Sequence, residues 1–352
     1  MKGSIERVSA VLRGEMPDRA PLFDLLRNDA VLEHFSGRHL TFENAREAVY
    51  SAYAPAIDAT RPNVGMPSRE ETKILEDGRE QRRYRWTTWT PHVEYRDSES
   101  YEAAKRAQIQ ASDPTAWDAD RQAGLEKYLG WIDEEKERLG ETFFVPCISG
   151  PGLMGIYCEV GLEAFSYYLA DCPDVIVEML EHNTLESVTQ AEHYPDGHGL
   201  LVGFLGEDIA FNSGTLVSPA WLREHYFPRL ARAISAWHAK GIKVLFHSDG
   251  NLNAILDDLV EAGIDGLNPI EVLAGMDIAE IHRRHPRLFM AGGIDVSQLL
   301  PFGSPAAVKD AVKRALDAAE GRIMIGSTTE LNNDVPLENF LALREAVFEN
   351  VY

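Results

Sequence analysis

The stretch Lys243-Val244-Leu245-Phe246-His247-Ser248-Asp249-Gly250 runs three apolar residues into a histidine, a serine, an aspartate and a glycine. A short apolar run of this kind suits a strand buried on both faces, which is the habit of parallel sheets covered by helices. Helical signals flank it on both sides. Upstream, Ser218-Pro219 reads as an N-cap followed by proline at the first helical position, and the helix runs through Trp221 and Leu230 to Lys240, where Gly241 stops it. Downstream, residues 251–262 read as a helix closed by Gly263. The same alternation recurs along the chain. Cys172-Pro173-Asp174 opens a long helix reaching about Ala191, and Ser304-Pro305 opens another over residues 306–319. Strand-like runs stand at 20–26, 56–60, 142–148, 200–205, 243–247, 266–270, 288–291 and 322–325. Eight such runs exceed the usual doubly wound sheet, so the expected architecture is α/β, a (β/α)8 TIM barrel, with residues 1–352 forming one domain.

One region interrupts the rhythm. Residues 72–95 alternate around Asp77-Gly78 and read as a β-hairpin inserted in the N-terminal half, with Arg82, Tyr84, Trp86, Trp89 and His92 in its second half. It is expected on the side where barrel active sites lie; a surface decoration or dimer contact is an equal reading.

Composition narrows the class. Hydrophobic residues make up 45% of the chain, enough for a large core, and the net charge of −22 argues against a nucleic-acid partner. No run approaches the roughly 18 uninterrupted apolar residues of a membrane span. Met1-Lys2-Gly3-Ser4 lacks the apolar centre of a signal peptide, and three cysteines, odd in number, do not suggest a disulfide framework. The expectation is a cytoplasmic enzyme acting on a small molecule, with neither nucleic acid nor membrane as partner.

In a barrel the reacting groups sit at the C-terminal ends of strands. Those ends are Gly206-Glu207-Asp208, His247-Ser248-Asp249-Gly250, Asn268-Pro269-Ile270-Glu271, Gly292-Gly293-Ile294-Asp295 and Gly326-Ser327-Thr328-Thr329-Glu330. Acids and one histidine converge with few cations nearby, and clustered carboxylates raise one another's pKa. A divalent metal resolves that repulsion, and imidazole with carboxylates is a donor set typical of zinc. Bland readings stand beside this one. Asp249 suits a helix cap, His247 a buried core histidine, Glu271 a partner for a loop amide, and Asp265 a structural role before its strand. Of Glu207 and Asp208, at least one is expected to face the cavity.

The C-terminal two-thirds resemble the uroporphyrinogen decarboxylase superfamily, which includes zinc- and corrinoid-linked methyltransferases. The resemblance rests on Gly150-Pro151-Gly152-Leu153 with Tyr157 and Gly161, on Gly206 to Asp208 through Ser218-Pro219, and on Tyr226-Phe227-Pro228-Arg229-Leu230. It continues through the block from Lys243 to Asn251, Gly263 to Asn268, Gly292 to Asp295 and Asp334-Val335-Pro336-Leu337-Glu338-Asn339. It implies the same barrel fold. The decarboxylases carry an N-terminal Met-Arg-Gln-Ala-Gly-Arg motif, where this chain has residues 19–30 with one displaced arginine, Arg27, and two acids, Asp24 and Asp29. The aspartate of their Phe-Ser-Asp-Ile-Leu segment is not evident around Asp58-Ala59-Thr60-Arg61-Pro62.

The methyltransferase branch is the closer pattern. Its zinc motif, His-X-Cys-Gly, stands here as His247-Ser248-Asp249-Gly250, and Thr328-Thr329-Glu330 replaces a second cysteine in the last loop. The resemblance therefore implies zinc held by Glu207 or Asp208, His247, Asp249 and Glu330, with His247, Asp249 and Tyr157 as the catalytic set. Arg27, Asp208, Asn212, Asn268 and Glu271 are expected to hold substrate. The implied reaction passes a methyl group from a methoxylated or similar small molecule to a corrinoid on a separate protein. A metal-free decarboxylase, drawing on Arg27, Arg61, Arg82, Arg83 and Arg85, and a non-catalytic binding barrel are the alternatives. Homodimerisation is the family habit.

Overall fold

A computed structural model describes residues 3–196 and 199–351. A continuous run of parallel pairing carries Val202–Gly206, Lys243–His247, Gly266–Asn268, Phe289–Ile294 and Ile323–Ser327 side by side. Ala59–Thr60 pairs in parallel with Phe143–Phe144. The gaps between these two sheets are bridged by backbone hydrogen bonds. Leu22 bridges Ile325, Phe23 bridges Ala59, and Cys147 bridges Phe204, all in parallel. The Phe23 amide donates to the Ile325 carbonyl at 2.7 Å, and the Phe204 amide to the Pro146 carbonyl at 2.8 Å. Eight segments thus form a ring, the expected barrel.

The ring closes tightly. A β-carbon on Gly326 would stand 1.8 Å from the Phe23 carbonyl oxygen, so no larger residue fits where the last strand meets the first segment. The interior is filled from the strands by Phe23, Ala59, Val145, Phe204, Leu245, Phe289, Ala291 and Met324. Val8, Val11 and Leu12 of helix Ser4–Leu12 pack into the same cluster and plug one end. Each buried aromatic contributes roughly 1.5–3 kcal/mol over its exposed state. At that same end Asp58 accepts from Arg7, Arg19, Ser4 and the Leu22 amide, which makes it a fastener of the barrel floor.

Several boundaries differ from the sequence reading. Residues 20–26 contribute single bridges rather than an extended strand. The sixth strand stops at Asn268, since Pro269 has no amide to donate, while the seventh runs on to Ile294 and the eighth to Ser327. The helix expected over 251–262 is Leu256–Glu261, because turns occupy residues 253–255. The helix after Ser218 is Pro219–Trp221, then a π-turn over Leu222–Tyr226, then Phe227–Ala239. Pro228 removes one donor from the helical ladder, and the wider turn falls just before it.

The inserted hairpin is a three-stranded antiparallel sheet, Glu71–Ile74, Glu80–Arg83 and Thr88–Trp89. Its first turn closes at Gly78, φ +86°, as the Asp77-Gly78 pair requires. Among the described residues, no helix is long and apolar enough to cross a membrane.

Candidate functional site

Strand ends bring Asp208, His247 and Asp249 together, with one ligand atom from each lying within 4.8 Å of the others. His247 is the last residue of its strand, paired with Gly206 on one side and Asn268 on the other. Its Nδ1 lies 2.7 Å from Asn268 Oδ1, while Asn268 Nδ2 donates to the Ala291 carbonyl at 3.2 Å. Asn268 therefore presents its oxygen to the ring, so Nδ1 carries the proton. Nε2 is left with a lone pair and stands 3.6 Å from Asp208 Oδ1. Phe204 covers the ring at 5.0 Å between centroids.

The two acids are held by the loops around them. Asp208 Oδ1 accepts from the Asp249 amide at 3.0 Å, and the Tyr157 hydroxyl donates to the Asp208 carbonyl at 2.7 Å. Asp249 Oδ1 accepts from the Thr329 hydroxyl at 2.8 Å. No helix begins at residue 250, so the capping role for Asp249 falls away. Gly250, at φ +95°, presses so close to Ala210 and Phe211 that a β-carbon would lie 2.6 Å from their backbone. Its amide donates to Glu271 Oε2 at 2.6 Å, the loop-amide partnership read from the sequence.

Two expected ligands stand elsewhere. Glu207 is fully buried with Oε1 on the Gly152 amide at 2.5 Å and Oε2 on the Met154 amide at 2.9 Å. It secures the entry to helix Leu153–Val160 instead of facing the His247 Nε2. Glu330 is drawn off by cations, its Oε1 to Arg27 at 3.0 Å and its Oε2 to Arg61 at 3.3 Å. Asn212 lies exposed on the turn between Ala210–Phe211 and Gly214–Thr215. Tyr157, expected to be catalytic, spends its proton on the Asp208 carbonyl and positions that residue. The hairpin arginines are also engaged: Arg82 with Glu80, Arg83 with Glu71 and Arg85 with Asp29.

Arg61 and Asp24 are additions that strand-end reading did not assign to the site, and Thr329, read at the end of the last strand, joins them. Arg61 is buried, lies 5.5 Å from the Phe204 ring centre, and donates through Nη2 to the Thr329 carbonyl at 3.1 Å. Thr329 has a positive φ of +111°, a conformation costly for a β-branched residue and characteristic of functional sites. Asp24 accepts from the Leu25 amide and from both the amide and hydroxyl of Ser327.

Burial dominates the electrostatics. It pushes the His247 imidazole below its usual value, with Arg61 adding to the effect, so the ring is neutral near pH 7. It pushes Asp249 and Glu271 up, Asp24 to about 6 and Glu207 to about 7. A neutral imidazole with one free lone pair and two convergent carboxylates fits a divalent cation by donor chemistry: nitrogen and oxygen, without thiolate.

No curated protein matches this chain. Among solved structures it is similar to a methyltransferase from Methanosarcina mazei, at a TM-score of 0.67 and 20% identity, with 99% of each chain covered. A looser likeness, TM-score 0.46 at 14% identity, is to a B12-independent methionine synthase from Shewanella sp. W3-18-1, covering 94% of this chain and 98% of that one. The first of these supports the barrel fold. The model of the uroporphyrinogen decarboxylase (URO-D) family matches residues 173–349, half of the chain, which takes in Asp208, His247 and Asp249. By that match the chain belongs to the uroporphyrinogen decarboxylase family.

Proposed function

We propose that this protein is a metal-dependent methyltransferase, with zinc held by Asp208, His247 and Asp249. The observation that carries the reading is the convergence of those three ligand atoms within 4.8 Å. The likeness to the methyltransferase from Methanosarcina mazei agrees with it. Glu207 and Glu330 leave the ligand set, since amides and arginines already occupy their oxygens.

The residues divide the work. Asn268 keeps the His247 proton on Nδ1 and the Nε2 lone pair toward the cluster. The Thr329 hydroxyl and the Asp249 amide fix the two carboxylates relative to each other. Zinc, when bound, supplies Lewis acidity to a leaving oxygen, which suits a methoxylated or similar small molecule better than a thiol. A corrinoid carried by a separate protein would be the methyl acceptor. Residues 1–352 act as one domain, in the cytoplasm and as a homodimer.

Elemental analysis and zinc titration of the purified protein test this reading. One equivalent is expected in the wild type and a large loss in His247→Ala; full occupancy in that variant removes the ligand assignment. A metal-free decarboxylase is the second reading, favoured by the buried Arg61 and the partly buried Arg27, which share Glu330. Turnover of uroporphyrinogen by metal-stripped protein decides for it.

A further inference from the structure

Helix Leu153–Val160 stands between the inserted sheet and the strand end that carries Asp208. At its start, Glu207 takes the Gly152 and Met154 amides. About one turn from its end, the Tyr157 hydroxyl donates to the Asp208 carbonyl at 2.7 Å. Two consecutive residues of one strand end therefore hold this helix at two points. At about 1.5 Å per residue it is a strut of about 12 Å.

The far end is held by residues that follow the inserted sheet. A helix leaves its last carbonyls without partners in its own backbone. Here the Tyr157 carbonyl accepts from the Gly161 amide at 2.7 Å, and the Glu159 carbonyl accepts from the Val93 amide at 2.7 Å. Between them, the Cys158 carbonyl lies 2.9 Å from His92 Nδ1, and since a carbonyl only accepts, Nδ1 carries the proton. The Glu159 carboxylate accepts from the buried Lys105 ammonium and from the Tyr95 hydroxyl. The imidazole sits on Gly161, where a β-carbon would lie 2.7 Å from its Cδ2, so a larger residue would push the ring off its carbonyl. The segment before His92 is tied back to the sheet. Arg79, beside the Asp77-Gly78 turn, donates to the Pro91 carbonyl at 2.6 Å, and Gln81 donates to the Thr90 hydroxyl at 3.0 Å.

We propose that His92 is a positioning residue for the candidate cluster. It acts through helix Leu153–Val160 and the Tyr157 hydroxyl on the backbone of Asp208, whose Oδ1 in turn receives the Asp249 amide. The inserted sheet then has a task in the site, although its strands lie outside the barrel. The effect on zinc rests on the metal reading; the effect on the strand end requires no metal.

The test is amide hydrogen exchange, read by mass spectrometry on the metal-free full chain, with zinc affinity measured separately by chelator competition. The proteins are wild type, His92→Ala, His92→Asn, Tyr157→Phe and the double variant His92→Ala with Tyr157→Phe. His92 lies at the surface, and circular dichroism with melting reports whether each variant folds. His92→Ala is expected to raise exchange across residues 206–209 about tenfold and to weaken zinc by roughly the same factor. His92→Asn, which keeps a donor at the Nδ1 position, is expected to restore both. Tyr157→Phe should give a similar loss, and the double variant no more than the larger single loss, because both residues lie on one route. Unchanged exchange at 206–209 in folded His92→Ala, or losses that add in the double variant, overturns the proposal. Raised exchange with zinc affinity unchanged confines His92 to a structural role and overturns it as well. Should the wild type take no zinc, the metal reading falls by itself and the exchange pattern alone decides whether His92 positions the strand end.

Discussion

Asn268 Oδ1 receives the Nδ1 proton of His247 at 2.7 Å, while its own amide nitrogen is tied to the Ala291 carbonyl on the next strand. One side chain thus selects the tautomer and the ring orientation of the only histidine in the candidate cluster. Groups that orient a ligating histidine typically change metal affinity 10–100-fold. Asn268→Ala is therefore expected to weaken zinc binding by roughly that factor, about 10–100-fold, read by competition against a chromophoric chelator. Unchanged affinity in a folded variant contradicts the role.

The four acids expected to reach the metal separate into two pairs. Asp208→Asn and Asp249→Asn are expected to lose zinc, whereas Glu207→Gln and Glu330→Gln are expected to retain it within a few-fold. Glu207→Gln should instead melt earlier, because an amide places one N–H₂ against a backbone N–H of Gly152 or Met154. An unmatched buried donor costs about 1–3 kcal/mol. Zinc loss in Glu207→Gln with normal melting would restore Glu207 to the ligand set.

Asp24 predicts a pH signature. Burial raises its folded pKa from 3.8 to about 6, so the folded state holds its proton more tightly than the unfolded chain. Its contribution is complete below about pH 3.8 and is lost as the pH rises through about 6. Relative to Asp24→Asn, the wild type should lose up to about 3 kcal/mol of stability between pH 4 and pH 7. Urea unfolding of both proteins across that window measures it; parallel curves refute the shift.

The inserted sheet is fastened to the barrel at Asp29. Arg85 Nε and Trp86 Nε1 both donate to its Oδ1 at 2.9 Å. Asp29→Ala should raise amide hydrogen exchange and proteolysis around Asp77-Gly78 by about tenfold, the equivalent of roughly 1.4 kcal/mol of local stability. The melting temperature of the barrel is expected to stay put. Equal protection in the two proteins would mean that other contacts hold the sheet.

The barrel was readable because its later strands are continuous apolar runs. Val244-Leu245-Phe246 ends where it was expected to end, at His247. The first segment was over-read, since the apolar residues 20–26 pack against neighbours while making only single backbone bridges. The convergence of His247 with Asp249 was legible from strand-end logic. The choice of Asp208 over Glu207 was not, because adjacent residues point to opposite sides of an extended backbone and sequence does not say which side holds the Gly152 amide. Glu330 was misplaced for a related reason: Arg27 and Arg61 follow barrel segments distant from it in sequence, and their proximity exists only after closure. Thr329 was marked by its place in the last loop, but its positive φ was not legible, since a threonine is not the residue that such a φ ordinarily selects.

That threonine has one more implication. A single residue holds Asp249 through its side chain and Arg61 through its carbonyl. The loop after the last strand therefore sets the spacing between a buried cation and a carboxylate of the cluster, and a Thr329→Val variant, which loses the hydroxyl and keeps the carbonyl, separates the two grips.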